Sequence, residues 1–304
     1  MGRDVITTET IHHAGRGGSV EVSPTAIVTD AARELAADWG VRLRRGIDPD
    51  RQCWVMANWK MNLPDEGVAH FGARVAGVGA DPGLVLFPPD LVMERLRAAL
   101  EPADGRVGLG VQNVHSEPRG AFTGETSARH AIEAGASWSL VGHSERRRAG
   151  ETDEEIAARL AGAMAAGLRP VLCIGETARD REMGRTLAVL RWQTLEGLQR
   201  LTSLTGSGLV MAYEPVWAIG SGRRPAPEEI RLAHQGIRRV LSERFGESGR
   251  DRSILYGGSV TATSAPAIMR SGEVDGFLVG GASLDSSSLL AIADCCRDGR
   301  GGTA

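Results

Sequence analysis

The sequence has no hydrophobic run that approaches the roughly 18 residues of a transmembrane helix, so we expect no membrane span. It also has no large charge excess, since its formal net charge is −3. That balance argues against nucleic acid or another polyanion as the main partner. The amino terminus lacks a charged start followed by an apolar stretch, so we expect no secretory signal and a cytoplasmic protein.

Cysteine is scarce, and its spacing fits neither a zinc site nor a disulfide framework. The four cysteines are Cys53, Cys173, Cys295 and Cys296. We therefore expect free thiols in a reducing compartment. His12 and His13 are adjacent in a polar segment and are expected to be solvated rather than to bind a metal. We predict no metal and no cofactor.

What the sequence does have is a series of short apolar runs separated by amphipathic segments, a pattern typical of buried parallel strands joined by helices. We predict strands near 53–58, 83–88, 108–112, 138–142, 170–174, 208–213, 253–257 and 275–279. Periodicity alone allows either a closed barrel or a long doubly wound sheet. Because chemically informative residues follow many different strands, we favour a (β/α)₈ barrel over residues 51–298.

Residues 1–50 lie outside this pattern and are predicted to form a partly flexible extension with a short strand and a helix. The helix is predicted over 30–39, capped by Thr29 or Asp30 and ended by Gly40. Ala31 shares one helical face with Leu35 and Trp39, which predicts packing on the barrel or, alternatively, a docking or encapsulation tag. Residues 299–304 are predicted to be a flexible tail.

A carboxylate, Glu214, directly follows the sixth apolar run. The stretch after it is framed by Pro215, which stiffens the chain, and by Gly220, which permits unusual backbone geometry. Such a stretch is typical of a hinged lid, and a carboxylate that loses water beneath a closing lid becomes a stronger base. Glu214 is therefore a candidate base, although a strand-end carboxylate before a structural turn would look the same.

Two further polar residues follow other runs. His143 precedes a predicted helix start, whose positive end would favour a neutral imidazole that can donate to a substrate carbonyl. Lys60 follows the first run, where its ammonium could face an anion in a barrel mouth. Each could also be an ordinary structural or solvated side chain.

Paired glycines end the seventh and eighth runs, at 257–258 and 280–281. Such pairs bring backbone N–H groups close to an oxyanion, and the last two loops of barrels frequently hold phosphate. A single pair would be an ordinary turn. A base, an electrophile, a cation and a phosphate cradle at separate strand ends are improbable as a coincidence.

Several segments resemble the triosephosphate isomerase family, in the family's order. They are residues 57–62, 120–125, 141–147, 173–176, 213–222, 256–260 and 278–284. The resemblance implies that Glu214 moves a proton between adjacent carbons while His143 polarises the carbonyl. It also implies that Lys60 and Asn58 stabilise an enediolate and that Glu145 orders Lys60.

The resemblance further implies a phosphate site and a partner. The phosphate would be bound by the backbone of Gly220, Ser221, Ser259, Gly280 and Gly281. The loop 120–125 would reach into a second subunit, which implies a homodimer. The chain departs from the family at Arg223, where a lysine is usual, at 261–264, where asparagines are usual, and at 147–150, which is about one residue shorter.

The resemblance implies interconversion of dihydroxyacetone phosphate and D-glyceraldehyde 3-phosphate, a reaction of glycolysis and gluconeogenesis. One alternative is the same chemistry on a four-carbon ketose phosphate, such as erythrulose phosphate, in sugar-alcohol catabolism. A second alternative, of another class, is a non-catalytic phosphate-binding barrel. An assay on both substrates separates the first two.

Overall fold

The computed structural model of the chain describes residues 5–22, 26–45, 53–79, 81–204, 206, 208–220 and 223–301. By their internal contacts the residues fall into two units, Met1–Arg51 and Gln52–Ala304. No helix among the described residues is long and apolar enough to cross a membrane.

The first unit combines two small parallel sheets with two helices. Its elements are β1 (Val5–Ile6), α1 (Thr8–Ala14), β2 (Ser19–Val22), β3 (Ile27–Val28), α2 (Asp30–Trp39) and β4 (Arg42–Arg45). Strand β1 pairs with β3, and β2 pairs with β4. The side-chain oxygen of Thr29 accepts the N–H of Ala32 at 3.2 Å, and Gly40 ends α2 in the left-handed conformation. Both signals were readable in the sequence.

Two features of this unit differ from the sequence prediction. Ala31 is exposed, because the buried face of α2 is centred on Ala32 and Ala36, with Leu35 and Trp39 packed at its side. Helix α1 was not predicted. It contains the histidine pair, and the His12 ring packs edge-on against Trp39 with centroids 4.6 Å apart. Among the described residues there is no cluster of side chains suited to a metal ion.

The second unit is a closed barrel of eight parallel strands, as predicted, in the order in which the strands occur along the chain. The strands are β5 (Trp54–Asn58), β6 (Gly83–Phe87), β7 (Val107–Val111), β8 (Trp138–Val141), β9 (Arg169–Ile174), β10 (Val210–Tyr213), β11 (Ser253–Tyr256) and β12 (Gly276–Val279). Closure is made by β12, which pairs with β5 in parallel. The doubly wound alternative is excluded.

Helices surround this barrel. They are α3 (Val68–Val75), α4 (Met93–Ala99), α5 (Ala128–Glu133), α6 (Ser144–Arg148), α7 (Asp153–Ala166), α8 (Ala178–Glu182), α9 (Thr186–Gly197), α10 (Pro227–Phe245), α11 (Glu247–Arg250), α12 (Ala265–Met269) and α13 (Ser286–Gly301). Helix α13 therefore includes the first three residues of the segment 299–304 that was predicted as a tail.

The interior of the barrel is filled rather than hollow. Met56, Phe87 and Leu140 are completely buried inside it. At the amino ends of the strands, the guanidinium of Arg169 lies 3.9 Å from the ring centroid of Trp138 and 5.0 Å from that of Trp54. Because side chains fill the interior and this end, a ligand site must lie at the carboxyl ends of the strands.

Candidate active site

The residues predicted to carry chemistry meet around one cavity of about 300 Å³ at the carboxyl ends of the strands. Those that line it are Asn58, Lys60, His143, Glu214, Gly220, Ser259, Gly280 and Gly281. Glu145 lines an adjacent cavity, and Ser221 lies outside the described residues. Residues from the ends of five strands, far apart in sequence, thus share one pocket.

Glu214 follows β10 directly, and its carboxylate is buried between the chain segments after β8 and β11. One oxygen lies 3.0 Å from Nε2 of His143, and the other accepts the backbone N–H of Ser144 at 3.1 Å. Burial alone would raise the pKa of Glu214, but the His143 ring, the Ser144 N–H and the charge of Lys60 together lower it below its ordinary value. The carboxylate is therefore ionised at neutral pH.

Two glycines make room for Glu214, Gly175 for its backbone and Gly257 for its side chain. A Cβ atom at Gly175 would lie 1.7 Å from the backbone oxygen of Glu214, and one at Gly257 would lie 2.8 Å from its Cγ. Gly257 was expected to serve a phosphate; the structure gives it the further task of leaving space for the Glu214 side chain. Gly175 was not among the predicted site residues, and the sequence shows only that it directly follows a strand.

His143 is the first residue before α6, and it is almost fully buried. Its Nδ1 accepts the backbone N–H of Glu145 at 3.2 Å, which assigns the proton of a neutral ring to Nε2, facing Glu214. Burial favours the neutral ring, but the Glu214 carboxylate outweighs it and raises the pKa of His143. The backbone N–H at the helix start favours the neutral ring, whereas the Glu214 carboxylate favours the protonated ring.

Lys60 has an unusual backbone conformation, with a φ of 53° in the left-handed region. Its N–H donates to Oδ1 of Asn58 at 2.9 Å, and its ammonium lies 2.8 Å from a carboxylate oxygen of Glu145. The second Glu145 oxygen is 3.7 Å from Nδ1 of His143. Glu145 therefore contacts Lys60 and His143, the two residues predicted to bind the substrate oxygens. It does so from the adjacent cavity.

The glycine-rich end of the cavity lies after β11 and β12. A 3₁₀ helix, Gly281–Leu284, begins where the second glycine pair lies, and a helix start directs backbone N–H groups outward. Near the first pair, Thr261 and Ser264 close a turn: each backbone N–H donates to the other's hydroxyl, at 3.0 and 3.3 Å. These hydroxyls stabilise the turn at the position where the sequence departs from the family's asparagines.

The predicted lid begins with the 3₁₀ helix Val216–Ala218. The Trp217 indole N–H donates to Glu176 at 2.7 Å, and the hydroxyl of Tyr213 donates to the same oxygen at 3.2 Å. Burial raises the pKa of Glu176, although these donors oppose it. Gly220, with a φ of 66°, lines the cavity. Sequence reasoning assigned no role to Glu176, whose signal was a carboxylate after a strand.

The loop 120–125 is exposed and lies beside a second cavity of about 380 Å³. That cavity is also lined by Lys60 and Glu145. The Phe122 ring packs on His115 with centroids 3.9 Å apart, and Glu125 pairs with Arg159 at 3.2 Å. The loop is therefore held by its own side chains while its outer surface stays open.

Comparisons with known proteins agree with this geometry. The sequence profile of the family described as triosephosphate isomerase matches residues 53–296. The triosephosphate isomerase of Symbiobacterium thermophilum is 42% identical over 252 residues, which cover 81% of this chain and 97% of that protein. That of Xanthobacter autotrophicus is 42% identical over 248 residues, 80% of this chain and 96% of its own. That of Alcanivorax borkumensis is 38% identical over 244 residues, which cover 80% of this chain and 98% of that protein.

Proposed function

The chain belongs to the triosephosphate isomerase family, and from this premise we propose how its residues interconvert dihydroxyacetone phosphate and D-glyceraldehyde 3-phosphate. The observation that carries the proposal is the contact between Glu214 and His143 in a cavity that is also lined by the glycines after β11 and β12. A base beside a hydrogen-bond donor suits removal of a proton from a carbon next to a carbonyl. No observation favours the four-carbon substrate or the non-catalytic barrel.

Glu214 is the base. Its carboxylate is held by His143 and by the N–H of Ser144, which lower its basicity. A substrate whose oxygens take over the His143 contact leaves the carboxylate buried without that partner, so burial raises its pKa. It then takes the proton from one carbon, and the electron pair moves onto the carbonyl oxygen as an enediolate. Returning the proton to the adjacent carbon completes the isomerisation.

His143 and Lys60 act on the substrate oxygens. With Glu214 displaced from Nε2, the influence that raises the pKa of His143 is lost, and the neutral ring donates to the carbonyl oxygen and passes protons between the two oxygens. The ammonium of Lys60 and the amide of Asn58 stabilise the negative charge of the enediolate. Glu145 pairs with the ammonium and helps to orient it. Proton transfer of this kind needs a base, an acid and anion stabilisation, so the chemistry requires no cofactor.

The phosphate is bound by the glycine-rich loops that line the cavity. Backbone N–H groups there and in the lid bind it, from Gly220, Ser221, Ser259, Gly280 and Gly281. Closure of the lid over the substrate excludes water, which strengthens each electrostatic contact and protects the enediolate from losing phosphate.

A homodimer is part of the proposal. The loop 120–125 of one subunit would enter the second cavity of the other subunit. It would there lie beside Lys60 and Glu145 of that subunit. Replacing the exposed Phe122 with Asp is expected to yield monomers of lower activity, as measured by sedimentation together with turnover. A dimer of unchanged activity contradicts this placement of the interface.

The free cysteines support a cytoplasmic location.

Residues 1–50 are proposed to be a separate extension, with 51–298 as the catalytic barrel and only the last residues as a tail. The extension has its own core, which includes Ile11, Val22 and Ala32. Removal of residues 1–50 is expected to change kcat by less than about twofold, because the residues assigned to catalysis all belong to the barrel. A large loss of kcat with intact folding would show that the extension contributes to catalysis.

The direct test is steady-state turnover of the purified protein on the three-carbon and four-carbon ketose phosphates. We expect kcat/KM to be larger for dihydroxyacetone phosphate by at least about 100-fold, since extra substrate atoms must fit beside a buried base. A larger value for erythrulose phosphate overturns the substrate assignment. Turnover of neither compound, by protein that binds phosphate compounds, overturns the isomerase assignment.

A further inference from the structure

Gln112 follows β7 and lines the second cavity rather than the one that contains Glu214, and its side-chain amide contacts the backbone of Lys60. From this contact we infer that Gln112 is a positioning residue: it fixes the main chain of Lys60 and, through it, the place of the ammonium. The inference rests on the proposed function of Lys60 in stabilising the enediolate.

The backbone of Lys60 needs such support. A φ of 53° is uncommon for a residue with a side chain, and it persists only where neighbouring groups hold it. Two hydrogen bonds do so. The Lys60 N–H donates to Asn58 at 2.9 Å, and the Lys60 carbonyl accepts Nε2–H of Gln112 at 2.8 Å. Both polar groups of this residue's main chain are therefore held by side chains from the ends of strands.

The amide of Gln112 also contacts β6, the strand that lies between β5 and β7. Its Nε2 lies 3.0 Å from the carbonyl of Phe87, the last residue of β6, which accepts the Trp59 N–H as well at 3.1 Å. One NH₂ group, with its two protons, thus satisfies two carbonyls and ties the ends of β5 and β6 to β7. A carboxylate at this position offers no proton to either carbonyl, and an aliphatic side chain leaves both without this donor.

Loss of this amide leaves the left-handed turn free to relax. The Glu145 contact holds only the tip of the Lys60 side chain, from a residue that is half exposed, so it does not replace the constraint on the main chain. We therefore expect the ammonium to move away from the substrate oxygens. Since the ammonium acts on both the bound substrate and the enediolate, KM rises and kcat falls.

The first measurement compares Gln112→Leu and Gln112→Glu with Gln199→Leu, the same change at an exposed glutamine whose amide donates to Glu196. We expect Gln112→Leu to lower kcat/KM by about tenfold, as for a small displacement of a reacting group, and Gln199→Leu to leave it unchanged. Gln112→Glu should approach the wild-type value as the pH falls, because a protonated carboxyl regains one donor. A ratio to wild type that does not change with pH overturns the inference.

The second measurement is a double-mutant cycle with Lys60→Met, read as affinity for phosphoglycolate, whose phosphate and carboxylate resemble the charges of the enediolate. If Gln112 acts through the ammonium, Gln112→Leu adds less than about twofold once Lys60 is Met. Equal losses in both backgrounds indicate general structural damage and overturn the inference. Wild-type turnover with an unaffected Gln112→Leu variant overturns only the inference, whereas absent wild-type turnover overturns the proposed function.

Discussion

Gly257→Ala tests whether the position of the Glu214 side chain limits the rate. The added Cβ would lie 2.8 Å from Cγ of Glu214, whereas carbon atoms pack at about 3.5 Å or more, so the side chain must retreat by roughly 0.7 Å. Gly257 has an ordinary backbone conformation, so alanine adds no φ strain. A shift of this size in a base is expected to lower kcat by about 10- to 100-fold.

The assay is steady-state turnover together with phosphoglycolate affinity and thermal unfolding. Gly77→Ala is the matched control, because its added Cβ meets nothing within 4 Å. We expect overpacking at Gly257 to cost about 1–3 kcal/mol of stability, with the fold retained. Unchanged kcat in a folded Gly257→Ala variant would refute the reasoning, since the base would then tolerate displacement.

Three further changes test the electrostatics and the capping. His143→Gln removes the ring that holds Glu214, so the Glu214 pKa rises and the acid limb of kcat/KM should move to higher pH; an unmoved limb contradicts the assignment. The pKa of Glu176 is raised in the folded protein, so the folded state loses stability as the pH rises above the ordinary pKa of a glutamate and this carboxyl must ionise while buried. Glu176→Gln should therefore raise the Tm at pH 7 but not at pH 4; the reverse order would be contradictory. Ser264→Ala removes the acceptor of the Thr261 N–H and should lower the free energy of unfolding by about 1 kcal/mol in urea titrations, with Ser264→Asn as the control that keeps an acceptor.

The barrel was predictable because its strands are short apolar runs separated by amphipathic segments, and several of them are followed by a residue of unusual chemistry. Glu214, His143 and Lys60 each stand at such an end, and closure of the sheet brings them together. Strand ends could be read to within about two residues, since periodicity places a strand better than it places its limits.

Other parts of the site depend on packing that the sequence does not display. The role of Gln112 arises only because β6 lies between β5 and β7, so that one amide spans both ends. Gly175 is distinguished from other glycines only by the distance from its missing Cβ to Glu214. Helix α1 is short and polar, and its one completely buried residue, Ile11, gives no periodic signal.

The measurement that bears most directly on the central claim is the turnover of Glu214→Asp beside its affinity for phosphoglycolate. The shorter carboxylate keeps the charge but withdraws the base from the substrate carbon. We predict that kcat falls by about 100-fold or more while phosphoglycolate still binds and the protein stays folded. An unchanged kcat would show that Glu214 is not the residue that moves the proton.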